Sequence, residues 1–142
     1  MKGSVSTVAT MTERAARDCR RILLVDDDGA VRELLAEMFE LEGLDVATAA
    51  SGEEALRALE QGPLPNLVVL DINMPGISGA EVLRRMKERP DWANIPVAAI
   101  SGTPQWESRL VSKPDAFLAK PFEADALNEA MARLCSRPRR VR

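Results

Sequence analysis

Short apolar runs alternate with helical stripes along this sequence, and that alternation constrains the fold more tightly than any other feature. Ile22-Leu23-Leu24-Val25 is an unbroken apolar run. It is followed by Val31, Leu34, Leu35, Met38 and Leu41 at the three- and four-residue spacing of one helix face, up to Gly43. Val46 and Ala47 mark a weaker second strand. Ser51 and Glu54 then have the spacing of a capping box ahead of Ala55, Leu56 and Leu59, and Gly62, Pro63 and Pro65 close that helix. Leu67-Val68-Val69-Leu70 is apolar on both faces, as a central strand of a covered sheet must be, and runs straight into Asp71.

A second capping box, Ser78 to Glu81, opens a helix carrying Val82, Leu83 and Met86. Pro96-Val97-Ala98-Ala99-Ile100 predicts a fourth strand and Ala116-Phe117-Leu118-Ala119 a fifth. Between them Thr103-Pro104 is a candidate start for a short helix, weakened by Pro114. From about Glu123 a last helix turns Leu127, Ala130, Met131 and Leu134 to one side. Neighbouring parallel strands need crossover connections, so this alternation predicts a doubly wound α/β fold, a five-stranded parallel sheet with helices on both faces. In such folds ligands sit outside the carboxyl ends of the strands.

The 142 residues are enough for one domain, and no uncharged apolar stretch approaches the roughly 18 residues of a membrane span. The absence of histidine (His 0) excludes a Ser-His-Asp triad, a Cys-His pair, a His-ligated zinc site and a phosphohistidine on this chain. The only cysteines, Cys19 and Cys135, lie near opposite ends, so neither a disulfide framework nor a CxxC motif is drawn, and a reducing, cytoplasmic compartment is expected. A net charge of -3 gives no case for the whole chain gripping nucleic acid. Residues 1–20 carry no apolar periodicity and are expected to be a flexible leader, in which Met11 serves equally well as a start. Residues 21–136 form the expected domain. Arg137, Arg139, Arg140 and Arg142 give residues 137–142 the character of a solvated basic tail, with no helix-turn-helix after it.

The predicted strands end in chemistry: Asp26-Asp27-Asp28 after the first, Asp71 after the third, Ser101 after the fourth and Lys120 after the fifth. Two carboxylates about 4 Å apart oppose each other's ionisation by about 4 kcal/mol at an effective dielectric of about 20. Several in one crevice therefore need positive charge. Lys120 supplies some, and an all-oxygen donor set suits a hard cation such as Mg²⁺, which binds through one or two carboxylates, waters and phosphate oxygens. Asp28 is expected to face solvent or cap the following helix rather than join them.

Four segments, Ile22-Leu-Leu-Val-Asp-Asp-Asp28, Leu67-Val-Val-Leu-Asp-Ile-Asn-Met-Pro75 with Gly79, Pro96-Val-Ala-Ala-Ile-Ser-Gly102 and Phe117-Leu-Ala-Lys-Pro-Phe122, resemble the receiver domain of two-component response regulators. The resemblance covers about residues 21–136. It implies the strand order 2-1-3-4-5 and Asp71 as the phosphoacceptor. Asp26, Asp27, Asp71 and the backbone carbonyl of Asn73 would hold Mg²⁺, or Mn²⁺ in its place. Ser101 would be the hydroxyl that turns toward the phosphoryl group, and Lys120, followed by a cis bond to Pro121, would pair with it. Ser101 stands where Thr is commoner, and the segment between Ser101 and Lys120 is shorter than in typical relatives. Phe117 occupies the position of an aromatic switch residue, although a Phe in a strand is more often plain core. Trp92 and Trp106, outside the apolar stripes, are expected to be partly buried against loops.

The implied function is a stand-alone, non-enzymatic switch, phosphorylated by a histidine kinase or a histidine phosphotransfer protein, that alters a protein-binding surface for a downstream target. A homodimer is left open, and no DNA-binding domain or membrane contact is expected. The competing readings are a receiver-like binding module that works without phosphorylation and a Mg²⁺-dependent aspartyl phosphatase. The latter is disfavoured because Asn73 stands where such enzymes place a second, acid-base Asp.

Overall fold

In the computed structural model, which describes residues 19–103, 105 and 110–135, the apolar runs become strands β1 (Arg21–Val25), β2 (Asp45–Ala49), β3 (Leu67–Asp71), β4 (Val97–Ser101) and β5 (Ala116–Ala119). Helices α1 (Gly29–Leu41), α2 (Gly52–Gln61), α3 (Gly79–Glu88) and α4 (Ala124–Cys135) connect and cover them. The strands form one parallel sheet in the order β2-β1-β3-β4-β5, as expected. Every residue of β3 and β4 is buried, which is why their text is apolar at consecutive rather than alternate positions. One apolar cluster forms under α2 and α3 around Leu23, Val68, Leu70, Val82, Leu83 and Met86. The other forms under α1 and α4 around Ile22, Leu24, Phe39, Val69, Leu127 and Met131.

The helix starts follow their cap residues. The Ser51 hydroxyl accepts from the Glu54 N–H and the Ser78 hydroxyl from the Glu81 N–H, while Asp28 caps α1 by accepting from the N–H groups of Ala30 and Val31. Gly62 ends α2 with φ of 59°, a left-handed backbone that glycine adopts without steric cost.

Three expectations are corrected. The inward face of α1 is centred on Leu35 and Phe39, whereas Leu34 and Leu41 are exposed at 59% and 83%. The apolar side chains of α1 span a wide arc, and spacing alone does not say which edge of it meets the sheet. The cysteines do pair: Cys19 and Cys135, with Cα atoms 5.3 Å apart, form a disulfide across a sequence separation of 116. The fold, not their position in the chain, brings them together. Cys19, within the segment expected to be a leader, is buried in the core cluster under α1 and α4. Trp92 is buried more fully than expected, with the Arg89 guanidinium 3.8 Å above its ring. Residues 1–18, the start of the Thr103-Pro104 helix, Trp106 and the tail arginines lie outside the described residues.

Candidate functional site

Parallel strands all deliver their C-terminal residues to one end of the sheet, and that end carries the expected residues. Asp26 follows β1 and is 1% exposed. Its Oδ1 accepts from the Asp28 N–H at 2.9 Å, its Oδ2 accepts from Lys120 Nζ at 3.3 Å, and its backbone carbonyl accepts from Arg32 Nη1 at 2.7 Å. Asp71 closes β3 at 4% exposure, with Oδ1 accepting from the Asn73 N–H at 3.1 Å and Oδ2 3.6 Å from Lys120 Nζ. Asp27 is exposed, and carboxylate oxygens of Asp26, Asp27 and Asp71 lie within 4.8 Å of one another. Asp28 turns away to cap α1.

Lys120 leaves β5 with its N–H donating to the Ser101 carbonyl at 2.7 Å, and its bond to Pro121 is cis. Ser101, at the end of β4, is fully buried. Its hydroxyl accepts from the Thr103 N–H at 2.9 Å and from Asn73 Nδ2 at 3.2 Å, and donates to the Thr103 carbonyl at 3.1 Å. Phe117 is half-buried and packs against the cluster under α2 and α3.

The electrostatics follow from this crowding. Burial, with the Asp26 charge added, pushes the Asp71 carboxyl up from 3.8 to about 6, and the nearby Lys120 ammonium offsets only part of that. Burial opposes the Lys120 charge, but the Asp71 and Asp26 carboxylates outweigh it and hold the ammonium above its ordinary value. Three carboxylates facing one lysine still carry excess negative charge, and all their donors are oxygen. The donor set therefore fits a hard divalent cation.

A pH dependence follows. A folded-state value above the unfolded one means that the native chain binds more protons between about pH 4 and about pH 6, so metal-free stability falls as pH rises through that window. The loss is about 1 to 3 kcal/mol by linkage. Urea titrations in chelator should show the decline, and Asp71→Asn should remove it. A decline that persists in the variant would assign it to other groups.

Some of the site was not foreseen. The Asn73 amide, for which no side-chain contact was expected, also donates to Thr103 Oγ1 at 3.1 Å. Asn73 and Thr103 each lie two residues beyond the end of adjacent parallel strands, a spacing from which their contact could have been read. Glu53, in the first turn of α2, accepts from the Ile77 N–H at 3.4 Å and so touches the loop after β3.

Comparison with known proteins agrees with this arrangement. The family model for the response regulator receiver domain matches residues 22–132. The phosphate regulon transcriptional regulatory protein PhoB of Rhizobium meliloti is 34% identical over 125 residues, covering 86% of this chain and 53% of that protein. The chain thus spans about half the length of such curated relatives. An uncharacterised 14.6 kDa protein of Leptolyngbya boryana is 36% identical over 117 residues, covering 80% of this chain and 88% of its own. Among solved structures, the response regulator TrrA of Thermotoga maritima, in complex with Mg²⁺-BeF, is 38% identical with a TM-score of 0.74, over 81% of this chain and 98% of that one. With the family model spanning most of the sequence and relatives at this identity sharing its fold, the chain belongs to the response regulator receiver domains.

Proposed function

We propose that this receiver domain is a phosphoacceptor switch in which Asp71 takes a phosphoryl group from the phosphohistidine of a histidine kinase or phosphotransfer protein. The observation that carries the reading is the convergence of Asp26, Asp27 and Asp71 with Lys120 at the C-terminal end of the sheet. An Asp71 carboxylate oxygen attacks phosphorus in line as the bond to the donor imidazole breaks, the imidazole leaves with the electron pair, and an acyl phosphate forms. Lys120 lies within reach of the new equatorial oxygens, where its ammonium offsets their charge. Asp26, Asp27, Asp71 and the Asn73 carbonyl are the groups that would hold Mg²⁺ or Mn²⁺. The ion supplies charge neutralisation for the transferring group. TrrA, crystallised with Mg²⁺-BeF, supports this fit.

Ser101 is the hydroxyl that would swing to the phosphoryl group, leaving the Thr103 carbonyl, and Phe117 would repack toward the space vacated beside β4. The altered surface around β4, β5 and α4 would be read by a downstream protein. The domain would act by switching rather than by turnover, as a stand-alone cytoplasmic regulator.

Incubation with a small phosphodonor, with and without Mg²⁺, tests the reading by intact mass. One phosphoryl addition is expected with Mg²⁺ and none in chelator. Failure to bind Mg²⁺ and to gain mass would make the chain a phosphorylation-independent binding module instead.

A further inference from the structure

The disulfide joins residues at the two ends of the described fold. Cys19 lies two residues before β1, and Cys135 is the last residue of α4. The pair therefore connects the start of a central strand to the end of the last helix. Both residues are buried, at 1% and 6% exposure, among Ile22, Leu24, Leu127 and Leu134. These are the only cysteines in the chain.

A sheet buried on both faces by two apolar clusters gives a domain of this size a core that stands without a covalent staple, which small disulfide-dense domains lack. The bond is thus surplus to folding. Both cysteines also lie outside the sheet itself, one two residues before β1 and the other on α4, and such peripheral elements open locally before sheet centres.

We propose that Cys19 and Cys135 are a reversible thiol–disulfide exchange site, opened by a dithiol reductant, that sets how firmly α4 is held on the sheet. The thiolate of the dithiol attacks one sulfur, the Cys19–Cys135 bond breaks, and a mixed disulfide forms. The second thiolate of the dithiol then displaces the protein sulfur. The dithiol leaves as its own disulfide, and the protein gains two electrons and two protons as two thiols. Exchange proceeds through local opening of α4, which exposes the sulfurs.

α4 starts shortly after Lys120, so the clasp holds one end of the helix while the loop from the candidate site enters the other. In a reducing compartment the open form prevails, and an oxidising disulfide reagent closes it. The inference rests on the fold and not on phosphate acceptance by Asp71.

The experiment uses the full chain and dithiothreitol without denaturant. Before reduction, iodoacetamide should label no cysteine. Afterwards it should label both, and amide hydrogen exchange across α4 should quicken at least about tenfold, ahead of β3. The unfolding constant should rise on the order of 10³-fold, as the loop-entropy relation gives for opening a long cross-linked loop. Oxidised dithiothreitol should restore the slow exchange. A paired Cys19→Ser, Cys135→Ser variant should match the reduced form and ignore dithiol, and if it does not fold, the reduction and reoxidation cycle of the unaltered chain decides. Free thiols before reduction, a bond that yields only after denaturation, or equal α4 exchange in both states would each overturn the proposal. Loss of phosphate uptake by Asp71 would leave every one of these readouts in place.

Discussion

Asp71→Asn is expected to take up no phosphate from a small donor in Mg²⁺, a fall on the order of 10³-fold or more, as when a nucleophile is removed elsewhere. The amide keeps the shape of the carboxyl group but offers no anionic oxygen to phosphorus. Its fold should survive intact, because the wild-type carboxylate is buried against Asp26 and strained electrostatically rather than structural. In chelator near neutral pH the variant should be the more stable protein, since it removes a charge that burial disfavours. Intact mass reads the first effect and urea unfolding the second. Mass gain in a folded Asp71→Asn chain would move the acceptor to another residue.

Gly79→Ala should cost about 3 kcal/mol or more. Gly79 opens α3 where the chain folds back on the end of β3, its N–H donating to the Ile72 carbonyl at 3.0 Å. A Cβ there would overlap the Asp71 carbonyl oxygen and stand 2.7 Å from Ile72 Cα, both of them backbone atoms that cannot rotate away. Relief requires moving either α3 or the segment that carries Asp71. The variant should therefore lose urea resistance and also phosphorylate more slowly, although it alters no group proposed to touch phosphate. Unchanged stability would mean that the helix start relaxes freely and that the close approach is not required. Gly52 makes a similar approach to the Ile77 backbone.

Much of this architecture was readable because burial writes itself into composition. Leu67-Val68-Val69-Leu70 admits few readings other than a central strand, and the two Ser-x-x-Glu boxes announce α2 and α3 through hydrogen bonds local in sequence. Asp26, Asp71, Ser101 and Lys120 were legible because parallel strands must deliver their last residues to the same edge. Features that depend on tertiary placement were not legible. The phase of α1 is decided by which edge of a broad apolar arc meets the sheet, so Phe39 is buried while Leu41 is not. The pairing of Cys19 with Cys135 depends on α4 returning to the start of β1, which no local pattern encodes. The amide of Asn73 was legible as the group that stands in place of an acid-base Asp, but its bonds to Ser101 and Thr103, which link the ends of β3 and β4, depend on the two strands lying side by side.

The 5.3 Å between Cα atoms of residues 19 and 135 also makes the domain a natural cassette. Entry and exit points this close let a folded unit be spliced into a surface turn of a host protein without prying the host apart. Both seams would lie at the pole of the sheet opposite the acidic crevice, leaving that crevice open to solvent and to any phosphodonor.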